Sequence, residues 1–190
     1  MPNAPLYDKQ ADKIELEIVT PRGRALSVVV DEVTAPSVEG EFGVMPGHLP
    51  LLAALRTGLV TYRQGSEQKK VAIGPGFAEA GSNKLLLLTD QYIEREQVDP
   101  VLVRKELAEV QAELGKVMAS AQNLEPAAGD AESGEKEAAD PLIKKENWLA
   151  AQLELYGDPP PATMRPFEQY GPPAPPEDAD VPTTDEEEAP

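Results

Sequence analysis

Three places in this chain hold residue types that could do chemistry: a single histidine, a glutamate-glycine-glutamate triplet and a glycine-proline-glycine triplet. His48 could act as a general base or a metal ligand, because imidazole changes charge near neutrality. It stands in a glycine- and proline-rich corner, with no second histidine and no cysteine anywhere in the chain. Neither role has a visible partner set, so a structural or interface role fits it better. Glu39 and Glu41 could imitate the two carboxylates of a glycosidase. Two acids in a turn are ordinarily just solvated, and no acid–base pair at predictable spacing accompanies them. Gly74-Pro75-Gly76 lacks the lysine and the helix that follow a phosphate-binding loop, so it reads as a turn between strands. The lack of cysteine also removes a disulfide framework, a thiolate zinc site and a cysteine nucleophile.

The elements around these residues are legible from their periodicity. IELEIV, from Ile14 to Val19, alternates strictly, as a half-buried antiparallel strand does. Pro21 and Gly23 mark a turn, and Leu26–Thr34 reads as a second strand, broken near Pro36. Val38–His48 holds three glycines and a proline, so very short strands and tight turns are expected there. Leu59–Arg63, Lys70–Ile73, Phe77–Ala80 and Lys84–Thr89 follow at close intervals. Short strands with regular turn signals predict a sandwich or barrel over the first ninety residues or so.

The period then changes. Asp99-Pro100 is a helix start, with a capping carboxylate followed by a residue preorganised for the first helical position. Val103, Leu107, Val110, Leu114 and Val117 form an apolar stripe running to about Ser120. Asn123–Ala139, with Pro126, two glycines and many acids, reads as a linker. The start signal returns at Asp140-Pro141, and Leu142, Leu149, Leu153 and Tyr156 form a second stripe ended by Gly157. Two helices with one stripe each predict an antiparallel hairpin. Burial is worth about 1.5–3 kcal/mol per side chain, while ordering the backbone costs about 1–2 kcal/mol per residue. Such a hairpin is stable only when packed on the sandwich or on a partner, which leaves room for a mobile regulatory role. Trp148, beside the stripe, suits either packing in the hairpin or anchoring a partner.

Charge is unevenly spread. Up to Ser120 there are 17 acidic and 13 basic residues, and from Ala121 onward 17 acidic and 4 basic. Ten prolines fall in Gly157–Pro190. The expected organisation is a flexible N-terminus (1–12), a β-sandwich (13–92), a helical hairpin (98–156) with an acidic linker (122–139), and a disordered, proline-rich acidic tail (157–190). Met1–Lys13 has no apolar segment of the secretory type. The longest apolar or proline run, Leu49–Leu55, is too short to cross a bilayer, which needs about 20 residues. The acidic balance argues against nucleic acid as a partner.

The segment VEGEFGVMPGHLPLL, Val38–Leu52, resembles the signature of the epsilon subunit of F-type ATP synthases, called delta in mitochondria. The match runs through Glu39, Gly40, Glu41, Phe42, Gly43, Val44, Pro46, Gly47, His48, Pro50, Leu51 and Leu52. IELEIVTPRG, RTGLVTYR and IGPGFAEAGSNKLLLLTD are similar to the family's neighbouring segments, in the same order. The resemblance implies a ten-stranded β-sandwich followed by a two-helix hairpin. It implies a non-catalytic rotor subunit without a cofactor, binding the gamma subunit and the c-ring and, through the hairpin, the catalytic beta subunits. It would reach the membrane only through the complex, on the cytoplasmic face of a bacterial inner membrane. The implied ring contacts are Glu39, Gly40, Glu41, Phe42 and His48, with Gly43, Pro46 and Gly47 shaping the turn. Val103, Leu107, Val110, Leu114, Leu149 and Leu153 would pack the hairpin. Where some bacterial members bind ATP through an aspartate and paired arginines, this chain reads DPLIKKENW, with Lys144 and Lys145. The competing reading is a free-standing β-sandwich adaptor whose hairpin grips another protein.

Overall fold

Among the described residues, apolar alternation and turn chemistry produce ten strands and two α-helices. The computed structural model describes residues 13–81, 83–122 and 131–159, with backbone alone for 120–122 and 131–138. The N-terminus at 1–12 and the tail from 160 onward lie outside the described residues. The strands are β1 (Ile14–Thr20), β2 (Gly23–Val30), β3 (Glu32–Ser37), β4 (Gly40–Val44) and β5 (Leu51–Leu55). After them come β6 (Gly58–Gln64), β7 (Glu67–Ile73), β8 (Gly76–Gly81), β9 (Lys84–Thr89) and β10 (Tyr92–Glu94). Pairing follows the path β10-β7-β6-β3-β5-β8-β9-β1-β2, with β4 on the free side of β3. A single residue pair, Ser37 with Leu55, joins β3 to β5. The path folds there into two layers, β4-β3-β6-β7-β10 and β5-β8-β9-β1-β2. Ile14, Leu16, Ile18, Val33, Val60, Ile73, Leu85 and Leu87 fill one core between them. The alternation of β1 appears directly as burial: Ile14, Leu16 and Ile18 face inward.

The second strand expected over Leu26–Thr34 is two strands, and the break lies at Asp31 rather than near Pro36. Asp31 acts as a corner. Its N–H donates to the Arg63 carbonyl at 2.8 Å, and its carboxylate accepts from Gly65 N–H at 2.6 Å and pairs with Lys13. These donors, Lys13 first, hold the Asp31 carboxyl below the usual carboxylate range. Pro36 sits inside β3 because its missing N–H falls at the switch, after the pairing with β6 ends at Thr34 and before Ser37 meets β5. Its carbonyl still accepts from Arg56 N–H at 3.3 Å.

Gly74-Pro75-Gly76 is a turn entering β8, as expected, but its glycines do a second job. A Cβ at Gly76 would lie 1.9 Å from the Leu88 carbonyl oxygen, and one at Gly74 would lie 2.1 Å from Asp90 Oδ1. The two strands close only without side chains there.

Helix α1 spans Pro100–Gln122. Asp99 Oδ1 accepts from the N–H groups of Val101 and Leu102 at 3.0 and 3.2 Å, which is the cap its sequence predicts. Helix α2 spans Ala131–Tyr156, so it starts well before Asp140 and carries Pro141 inside. The expected linker is therefore partly helical. Ala131, Glu132, Glu135, Lys136, Glu137, Ala138 and Ala139 are strong helix formers, and together they outweigh Gly134 and the N–H that Pro141 lacks. At its far end Gly157, at φ 104°, donates to the Leu153 and Glu154 carbonyls at 3.1 Å, and Asp158 N–H reaches Leu153 at 2.9 Å. Asp158 also pairs with Arg104 across the hairpin.

The two helices differ in what they touch. α1 buries one stripe, Val103, Leu107, Val110 and Leu114. α2 lies between α1 and the outer face of β6 and β7, so Ala150, Ala151 and Leu155 are buried along with Leu149 and Leu153. Val103, Leu107, Val110, Leu149 and Leu153 share one cluster with Ala72, against which Leu59, Ile93 and Trp148 pack. Trp148 thus serves the packing of the hairpin.

Candidate functional site

The glutamate-glycine-glutamate corner is the turn between β3 and β4. Ser37 builds it: the Ser37 hydroxyl donates to the Gly40 carbonyl at 2.7 Å and accepts from Glu39 N–H at 3.2 Å. Gly40 takes φ 126°, a conformation that disfavours side chains. Val38, Glu39, Gly40 and Glu41 are exposed around it. Phe42 turns the other way and packs against the sandwich core. Gly43, expected to shape a turn, lies within β4 opposite Thr34 with an ordinary backbone, because the strand runs on to Val44. Pro46 and Gly47 do shape the turn that follows, where His48 N–H donates to the Met45 carbonyl at 3.0 Å. Gly47 N–H donates to Asn83 Oδ1 at 2.8 Å, which ties this loop to the β8–β9 turn.

His48 lies beyond β4 from Glu39, so the strand separates it from the acidic corner. Its Nδ1 is 2.7 Å from the Leu49 carbonyl oxygen; that oxygen can only accept, so Nδ1 carries the proton. Among the described residues no group of three or more histidines, aspartates or glutamates is placed to hold a metal ion. Beside the exposed Glu39 and Glu41 the corner and loop also present apolar side chains: Val38 and Met45 are each 60% exposed and Leu49 is 79% exposed.

A second surface escaped the sequence reading. On the outer face of the layer β5-β8-β9-β1-β2, the register lines up Ala54, Phe77, Leu88 and Val19 in one row across four strands. Phe77 is 59% exposed and Leu88 47%, and Leu52 on the neighbouring row is 75% exposed. Adjacent strands lie about 4.8 Å apart, so these side chains touch one another rather than standing singly. Contiguous exposed apolar surface of this kind marks an interaction site. The run Leu85–Leu88 carries the signal: with Leu85 and Leu87 inside, Leu86 and Leu88 must face out. Glu17 borders the row. Its hydrogen bond to Lys84, 2.7 Å away, together with Arg24 at 3.7 Å, holds its carboxyl below the usual range.

Of the two stripes, Val103, Leu107, Val110, Leu149 and Leu153 are brought together in one cluster and Leu114 is buried further along α1, whereas Tyr156 is 40% exposed, its ring facing Arg95. Glu146, at the gap between Leu142 and Leu149 in the α2 stripe, is buried as well, and that gap is the sign the sequence offers.

Known proteins resemble this chain in sequence and in fold. Residues 13–95 match the family described as ATP synthase, Delta/Epsilon chain, beta-sandwich domain. An ATP synthase epsilon chain 2 from Syntrophotalea carbinolica is 38% identical over 117 residues, which is 62% of this chain and 80% of the relative. The ATP synthase epsilon chain of Syntrophobacter fumaroxidans is 43% identical over 103 residues, 54% of this chain and 75% of that one. Among solved structures, a chain of the Euglena gracilis mitochondrial ATP synthase shares the fold. Its TM-score is 0.57 at 20% identity, covering 80% of this chain and 89% of that one. With the Syntrophotalea carbinolica relative 38% identical and matched over four-fifths of its length, the chain belongs to the delta/epsilon chain family of ATP synthases.

Proposed function

We propose that the chain is a non-catalytic central-stalk subunit that joins the gamma subunit to the ring of c subunits in a proton-translocating ATP synthase. The observation that carries this reading is the apolar row Ala54–Phe77–Leu88–Val19 on the outer sheet face. A rigid sheet with a greasy outer face suits a permanent subunit contact, since lasting interfaces are the more apolar ones. Gamma is assigned to this face. The c-ring is assigned to the corner and loop, where Glu39 and Glu41 flank a turn and Val38, Met45 and Leu49 stand out in solvent. His48, beyond β4, would touch the ring only if the contact extends to the loop. Torque passes through such contacts without a bond being made, so no catalytic set is needed.

The bacterial epsilon relatives support a place for this chain in an ATP synthase complex, and none of its described helices is long and apolar enough to span a bilayer. Its position in this reading is peripheral, on the cytoplasmic face of a bacterial inner membrane. Phe77→Glu places a charge in the middle of the row without touching the core. The variant should fold normally and recover gamma at least about tenfold less well in copurification, as expected for loss of a central apolar anchor. Gln68→Glu, at the other layer, should behave as wild type. Full recovery of gamma by Phe77→Glu would remove this face as the interface.

A further inference from the structure

Between β4 and β5 the chain forms no strand or helix, so the place of this loop on the sandwich must be fixed from outside it. The bond from His48 N–H to the Met45 carbonyl closes the loop on itself and anchors it to nothing else. Asn83, in the β8–β9 turn, supplies the anchor: its Oδ1 accepts from Gly47 N–H at 2.8 Å. Pro50 meets the same turn from the loop's far end. A Cβ added at Gly81 would come 3.9 Å from Pro50 Cα.

Asn83 does three things at this junction. It takes φ 59°, in the turn that closes at the Gly81–Lys84 pair. Among residues with a side chain, asparagine and aspartate adopt that left-handed conformation most readily. Its backbone carbonyl accepts from Glu15 N–H at 2.9 Å, where β1 enters the sheet beside β9. Its side chain then reaches the loop. Glycine would satisfy the first two demands, and the side-chain oxygen is what glycine lacks. One residue thus joins β8, β9 and β1, which carry the apolar row, to the loop that exposes Met45 and Leu49.

We propose that Asn83 is the positioning residue of the ring contact: its side-chain oxygen holds the loop from Met45 to Leu49 in one place relative to the sheet assigned to gamma. An untethered loop must be ordered each time it docks, and that ordering weakens binding. A tethered loop also moves with the sheet, as a part that passes torque between two neighbours must. The ring's part in this rests on the function proposed above, whereas the tether itself does not.

Three variants of the full 190-residue chain test it by amide hydrogen exchange and by binding to purified c-ring and purified gamma. Asn83→Gly keeps the turn and deletes the oxygen, while Asn83→Asp keeps an acceptor in the same place. Leu49→Glu changes the loop's exposed surface and leaves the tether. In Asn83→Gly the Gly47 amide should exchange at least about fivefold faster, as loss of one hydrogen bond allows. The Glu15 amide, bonded to the backbone of residue 83, should be unchanged. Ring binding by the same variant should weaken at least about fivefold, with gamma binding as in wild type. Asn83→Asp should restore both Gly47 protection and ring binding, a rescue that a general loss of stability would not show. Wild-type Gly47 protection in Asn83→Gly would overturn the proposal. So would wild-type ring binding by Asn83→Gly when Leu49→Glu loses it. If Leu49→Glu also binds the ring as wild type does, the assignment of the ring to this loop fails, and the positioning role falls with it.

Discussion

The sandwich and the hairpin solve the same problem with unequal means. In the sandwich, residues from both layers close on one core in which Ile14, Leu16, Ile18, Leu85 and Leu87 are completely shielded from solvent. The hairpin has a single seam, and one of its seam positions is a buried glutamate. α1 rests mainly on α2, whereas each interior strand of the sandwich has hydrogen-bonded neighbours on both sides. The chain thus joins a densely hydrogen-bonded sandwich to an element held by much less.

Core truncation should have the largest effect and should separate the two regions. Leu16→Ala removes a side chain with no solvent exposure from the centre of β1 and should cost about 2–5 kcal/mol. Chemical denaturation should show the whole sandwich unfolding at lower denaturant. Leu107→Ala, in the hairpin seam, should leave the sandwich transition in place and show itself as faster exchange in α1. Equal damage to the sandwich from both variants would mean that the two regions unfold as one.

Two glycines sharpen the contrast with opposite signs. Gly76→Ala forces a methyl group against the Leu88 carbonyl and should cost about 1–3 kcal/mol. Gly115 stands in α1 with open space around it, so Gly115→Ala should stabilise the hairpin by about 1 kcal/mol. Thermal melts followed by strand and helix signals would read both changes.

The smallest effect is the dependence on acid. Glu17, Asp31 and Glu32 are all held below their ordinary range by the cations beside them, Lys84, Lys13 and Arg63 respectively. A carboxyl with a lowered folded-state value adds stability that is present above its unfolded value and lost as pH falls through the folded one. The sandwich should therefore weaken below about pH 4, where unperturbed carboxylates take up protons. Asp31→Asn should flatten that slope in denaturation midpoints measured against pH. An unchanged slope would mean that Asp31 acts through its backbone corner alone.

Much of the fold was legible because local rules and tertiary packing agree. The alternation of Ile14, Leu16 and Ile18, the Asp99 cap and the Gly157 stop each follow from one residue's chemistry and its neighbours. The misreadings have a common cause. Pro36 looks like a strand breaker until its place at a switch of partners is known, and Asp31 looks like mid-strand until Lys13 and Gly65 are seen to hold it. The stretch before Asp140 invited a linker because its glycine and acids drew attention away from its alanines. At the candidate site the acidic corner was legible as a string. The row through Phe77 and Leu88 was not, since strand order and register decide which residues become neighbours.

A central-stalk subunit must travel with the other subunits of its synthase. The measurement is to tag it at its N-terminus, solubilise host membranes gently and identify what copurifies. Recovery of the alpha, beta, gamma and c subunits of the ATP synthase in fixed proportion is the predicted result. Recovery of the chain alone, or with unrelated proteins, would contradict the stalk assignment.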